Sequence, residues 1–157
     1  MADESAVEKR LAELGLSVPN LAVPVAAYVP AVLTGSYVFT SGQLPFVDGV
    51  LPRTGKVGAE VSPEDAAELA RHCALNAIAA VKSVIHDLDR VIRVVKVVGF
   101  VASAPDFTGQ PVVMNGASTL LGAAFGEAGV HARSSVGVAV LPMDSPVEVE
   151  LIVEVSA

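Results

Sequence analysis

Polar residues set inside otherwise apolar stretches mark four places where this 157-residue chain could do chemistry. Tyr37-Val38-Phe39-Thr40-Ser41-Gly42-Gln43-Leu44-Pro45 reads as a strand that ends in small polar residues. Met114-Asn115-Gly116 is the second place, and His131 to Val138, which carries Arg133 and Ser135, is the third. In the fourth, Leu141-Pro142 leads into Val147-Glu148-Val149-Glu150. An arginine in such a setting has two chemical readings. Its planar guanidinium binds a carboxylate bidentately and stays charged at any working pH. Arg133 therefore either makes a surface or interface ion pair with Glu148 or Glu150 or holds a carboxylate that comes from outside. Glu148 likewise reads either as a solvated strand-face residue, like Glu150 and Glu154, or as an acid–base group.

Signatures of other chemistries are missing from the sequence. It has no G-x-G-x-x-G, no Walker loop and no G-x-S-x-G. His72, His86 and His131 have no metal-ligand spacing with one another or with Cys73. Cys73 falls on an apolar helical stripe and reads as a packing residue. His72 and His86 read as solvent-side or helix-end residues, and His131 as a rim residue on the same strand face as Arg133.

The elements that must position these residues follow from periodicity. Residues 3–14 predict a short helix, with Val7, Leu11 and Leu14 on one face and Gly15 ending it. Pro19 and Pro24 impose an extended arm. Strands are expected at Tyr28–Leu33 and Tyr37–Ser41 around a Thr34-Gly35-Ser36 turn, followed by a loop from Gly42 to Gly58. Ser62-Pro63-Glu64-Asp65 opens a long helix reaching about Asp87: a serine cap, a proline in the first turn and acids that complement the helix dipole. Val91–Val101 reads as a central strand, Pro111–Glu127 as a second long helix, and Ala132–Leu141 and Val147–Val155 as two final strands. The resulting order is α-β-β-α-β-α-β-β. Two long helices cover one face of the sheet; the other face needs a partner.

Composition agrees with a single α+β domain spanning residues 1–157. Apolar residues make up 52% and charged residues 17%, with mean hydropathy +0.59, which argues against disorder. The longest apolar stretch, Val91 to Ala104, is cut by Arg93 and Lys96, too short and too charged to span a bilayer. One cysteine and an acidic, polar start fit a cytoplasmic protein. The net charge of −7 leaves no basic stripe for nucleic acid. Aromatics are only 4%, so the apolar mass is alanine and valine, more than a small core absorbs. Apolar surface left outside a core marks association, and a homo-oligomer is expected.

Taken together, Thr40-Ser41-Gly42-Gln43-x-Pro45, Ala132-Arg133-Ser134-x-Val136-x-Val138-x-x-Leu141-Pro142 and Val147-Glu148-Val149-Glu150 resemble the reactive intermediate deaminase family (RidA, or YjgF-type proteins). The resemblance covers about residues 25–155. It implies a chorismate mutase-like fold: a mixed sheet with two long helices on one face, here preceded by the N-terminal helix and extended arm (residues 1–24); the N-terminal helix and the loop near 46–56 look like additions. It also implies a trimer with ligand clefts between subunits, and cofactor-free and metal-free hydrolysis of enamines and imines derived from amino acids. The products are a 2-keto acid and ammonia. By the same resemblance, Arg133 holds the substrate carboxylate and Glu148 orients the attacking water. Tyr28 closes the cleft, Ser41 and Gly42 line it from a strand end, Asn115 reaches it from the second long helix, and Ser135 stands where many members carry cysteine. His131 in place of a common proline, and Ala26-Ala27 before Tyr28, mark a divergent subgroup. For such a subgroup the alternative is a protein that binds a small carboxylate without turning it over. Ribonuclease activity, a label attached to some relatives, fits poorly with the acidic charge.

If the last two strands formed a simple hairpin, Arg133 and Glu148 would lie roughly 20 Å apart. Either another strand intervenes with a different alignment, or two chains supply the site.

Overall fold

The computed structural model describes residues 4–21 and 27–157. In it the alternation at the end of the sequence becomes a strand whose odd positions are all buried and whose even positions are half-buried. This strand, β5 (Val147–Val155), is the third of five in the order β1-β2-β5-β3-β4. The others are β1 (Ala31–Thr34), β2 (Tyr37–Thr40), β3 (Val91–Ala102) and β4 (Ala132–Val138). All neighbours are antiparallel except β3 and β4, which run parallel. The mixed α+β sheet expected from the sequence is therefore present, and β3 is the strand that separates β4 from β5.

Two long helices, α2 (Pro63–Ile85) and α3 (Gln110–Phe125), lie on the face that receives Val147, Val149, Leu151, Val153 and Val155. The α2 start forms as its sequence requires: the Ser62 side chain accepts from the Asp65 N–H, and Pro63 occupies the first turn. Cys73 is fully buried on the apolar stripe, with Ala70, Ala77, Ile78 and Val81. The short α1 (Ala6–Glu13) begins with a Ser5/Glu8 capping box. Asp89 accepts from the N–H groups of Ala6 and Val7, Glu8 pairs with Lys82, and Arg10 donates to the last turn of α3 at Ala124. The helix is thus fastened to the domain at both ends.

Element ends differ from expectation where a hydrogen-bond partner runs out. β1 starts at Ala31 rather than Tyr28, because Pro30 has no N–H to give the ladder. β4 stops at Val138, where its neighbour β3 ends at Ala102. α3 stops at Phe125, before Gly126 at φ 63° and a tight turn, Gly126–Gly129. The expected arm reaches residues 22–24, which lie outside the described residues. Among the described residues, the other sheet face carries no helix. On it Val32, Phe39, Ile152 and Lys96 form one cross-sheet row, with Val98 beside Glu150 and Phe100 beside Glu148 in the next rows. Val32, Phe39 and Val136 are exposed there.

Candidate functional site

The open face of the sheet holds one group of the expected residues. Glu148 is an even position of β5, so its side chain leaves the helix-packed face. After β2 the chain continues alongside β5: the Gln43 N–H donates to Val149 C=O at 2.8 Å, and the Val149 N–H donates back to Gln43 at 3.1 Å. This bridge sets Gly42 directly against the Glu148 carboxylate. A Cβ on residue 42 would come within 1.9 Å of Glu148 Oε1, so a side chain there would displace the carboxylate from its present position. The Ser41 hydroxyl donates to Val29 C=O at 2.6 Å and its N–H donates to Pro30 C=O at 2.8 Å. These two bonds hold the segment that carries the exposed Tyr28 against the end of β2. Tyr28, Ser41, Gly42 and Glu148 are therefore gathered by one chain. Burial pushes the Glu148 carboxyl above the usual carboxylate range, and the nearby Glu150 charge adds to the shift.

A second group sits on the opposite face, at the sheet edge. Arg133 pairs in register with the buried Val97, so its side chain points toward α3. Its Nη1 donates to Asn115 Oδ1 at 2.9 Å and to Ser118 Oγ at 3.1 Å, and its Nη2 donates to Pro111 C=O at 3.2 Å. All three acceptors are neutral. No ion pair forms between Arg133 and an acid among the described residues, so the in-chain pair with Glu148 or Glu150 does not form. A guanidinium has five N–H donors. Three are used, and Nε–H and one Nη2–H remain without an acceptor among the described residues. Ser135, two positions along the same strand face, has a buried hydroxyl with no hydrogen-bond partner among the described residues.

The expected site residues thus form two sets, Tyr28/Ser41/Gly42/Glu148 and Asn115/Arg133/Ser135, which one chain does not bring together. Phe100 faces Glu148 and Val97 faces Arg133. Three residues along β3 and two strand spacings across put their Cα atoms about 14 Å apart, with the side chains on opposite faces. Ser118 was not singled out from the sequence. Its signal is the spacing i, i+3 from Asn115, which puts both on one helix face. His131 is more than a rim residue: its Nε2 lies 2.8 Å from Ser118 Oγ and its Nδ1 2.6 Å from Gly129 O. Among the described residues no three His, Cys, Asp or Glu side chains gather where they could hold a metal ion, and no helix is long and apolar enough to cross a membrane.

Fold and residue pattern agree with comparison to known proteins. A family model described as "YjgF/chorismate_mutase-like, putative endoribonuclease" matches residues 8–155, and the chain belongs to that family. Among curated proteins, it is 44% identical over 151 residues to Protein TCP17 of Trypanosoma cruzi, covering 96% of this chain and 94% of the relative. It is 33% identical over 137 residues to the 2-iminobutanoate/2-iminopropanoate deaminase of Salmonella typhimurium, covering 87% and 94%. The crystal structure of Atu1372 from Agrobacterium tumefaciens, a protein of unknown function, superimposes with TM-score 0.89 at 43% identity, over 97% of this chain and 93% of that one.

Proposed function

We propose that this protein hydrolyses imines derived from amino acids, and enamines through their imine tautomers, releasing a 2-keto acid and ammonia, in a cleft shared by two copies of the chain. The observation that carries the reading is the state of Arg133: a cation held by three neutral acceptors, with two N–H donors left over. Such a fork suits a carboxylate. The identity to an iminobutanoate deaminase supports the choice of substrate class.

In this reading Arg133, with Asn115 and Ser135 beside it, comes from one copy and anchors the substrate carboxylate. Tyr28, Ser41, Gly42 and Glu148 come from the next copy, which supports an assembly through the open sheet face; the family resemblance puts its number at three. Glu148 accepts a proton from a water as the oxygen attacks the C=N carbon. Glu148 returns that proton to the nitrogen to give the carbinolamine, whose hydroxyl proton then passes by the same carboxylate to the amino group, so that ammonia leaves and the C–O bond becomes the ketone. A carboxylate whose pKa is raised by burial is the better base for this step, once ionised. The step needs only water as co-reactant.

The test is release of ammonia and keto acid from 2-imino acids generated freshly in the assay. Turnover by the wild type and its loss, by at least about 100-fold, in Arg133→Ala is the expected result. Full activity in Arg133→Ala would overturn the mechanism. Binding of 2-oxobutanoate without turnover would make the protein a carboxylate-binding module instead.

A further inference from the structure

The Arg133 fork is backed by a hydrogen-bond relay whose direction follows from its last member. Gly129 O is a carbonyl and can only accept, so His131 Nδ1 carries the hydrogen at this 2.6 Å contact. In the neutral ring Nε2 is then an acceptor, and Ser118 donates its O–H to it at 2.8 Å. With its hydrogen committed, the Ser118 oxygen turns a lone pair toward Arg133 Nη1, which donates to it at 3.1 Å. The carbonyl at the base is itself fixed. Gly129 packs so closely on α3 that a Cβ would come within 2.3 Å of the Leu121 carbonyl oxygen.

We infer that Ser118 and His131 are positioning residues: with Gly129 C=O they form a relay that holds Nη1 of Arg133 against α3 and turns the Nε–H and the remaining Nη2–H outward as the ligand-binding edge. The inference rests on the proposed carboxylate role of Arg133. A mid-helix serine has a competing partner, the carbonyl four residues earlier, here that of Met114. His131 removes that choice by taking the hydroxyl hydrogen. Asn115 fixes the other hydrogen of Nη1, so both donors of that nitrogen are committed inward. The guanidinium cannot swing to offer its far end to a ligand without breaking both bonds. Neither Ser118 nor His131 needs to touch the substrate for this.

The experiment is calorimetry with 2-oxobutanoate on the full chain in its native assembly, combined with mutant cycles. Ser118→Ala and His131→Ala are each expected to weaken binding by about tenfold. The double variant is expected to be no weaker than either single one, because the two residues act through one another. His131→Gln, whose side-chain oxygen can accept the Ser118 hydrogen, should recover most of the loss. In an Arg133→Lys background, where there is no fork to orient, both substitutions should be silent. Additive losses, or losses that persist in the Arg133→Lys background, would overturn the relay. A ligand-independent readout separates this from failure of the carboxylate reading: in the free protein, NMR of the Arg133 side chain should show faster rotation about Nε–Cζ in both variants. Wild type that binds no 2-oxobutanoate overturns the carboxylate role, and unchanged rotation overturns the relay.

Discussion

At the scale of single residues, Glu148 carries a cost that its proposed task explains. The half-buried carboxyl has its pKa raised by desolvation and by Glu150. A raised value means that folding favours the protonated form, so ionised Glu148 subtracts from stability above the usual carboxylate range and the penalty fades as pH falls. Glu148→Gln should therefore raise Tm at neutral pH while abolishing turnover, checked by thermal unfolding beside the ammonia assay. In the wild type, turnover should fall off on the acid side at a higher pH than for an ordinary glutamate, because the base must be ionised to take a proton.

At the scale of elements, the half-site at Gly42 depends on how the loop after β2 is held. Asn76 on α2 donates from Nδ2 to Leu44 C=O at 2.9 Å and to Phe46 C=O at 3.0 Å. Those bonds anchor the loop just beyond the Gln43–Val149 bridge, which in turn sets Gly42 against Glu148. Asn76→Ala removes two partly buried hydrogen bonds, a loss of about 2 kcal/mol, which for a domain of this size is a fall in Tm of roughly 4–8 °C. Turnover should fall further than stability accounts for at assay temperature, since Glu148 loses its register with the loop. Nothing in the sequence pointed to Asn76, because its role lies in carbonyls brought to it by tertiary folding.

At the scale of the molecule, the open sheet face and the divided site lead to one expectation. If the Arg133 set of one copy meets the Glu148 set of another, two inactive variants can repair each other. Mixing Arg133→Ala with Glu148→Gln after joint unfolding and refolding, in equal amounts, should return activity to about a quarter of the sites of a cyclic assembly. A site built within one chain would return none. The mixed sample also needs the oligomer: a charge placed at Phe39, on the exposed row with Val32 and Ile152, should dissociate the wild type and silence it together, seen by sedimentation beside the assay.

How much of this was legible in the amino-acid order follows the range of the forces involved. Local rules located α2 from Ser62-Pro63 and β5 from alternation at 147–155, because capping and side-chain periodicity act over a few neighbouring residues. The same rules put Arg133 and Ser135 on one strand face and Glu148 on the outer face of its own. They could not tell that β3 stands between β4 and β5, since strand order depends on contacts between residues far apart in the chain. Nor could they show that Arg133 and Glu148 look in opposite directions from the sheet, or that Ser118, His131 and Gly129 meet behind the guanidinium. The sequence by itself determined which residues are apolar, capped or charged, and hence the elements. Tertiary structure decided which side chains share a space, because hydrogen-bond direction and burial exist only once distant segments are packed against each other.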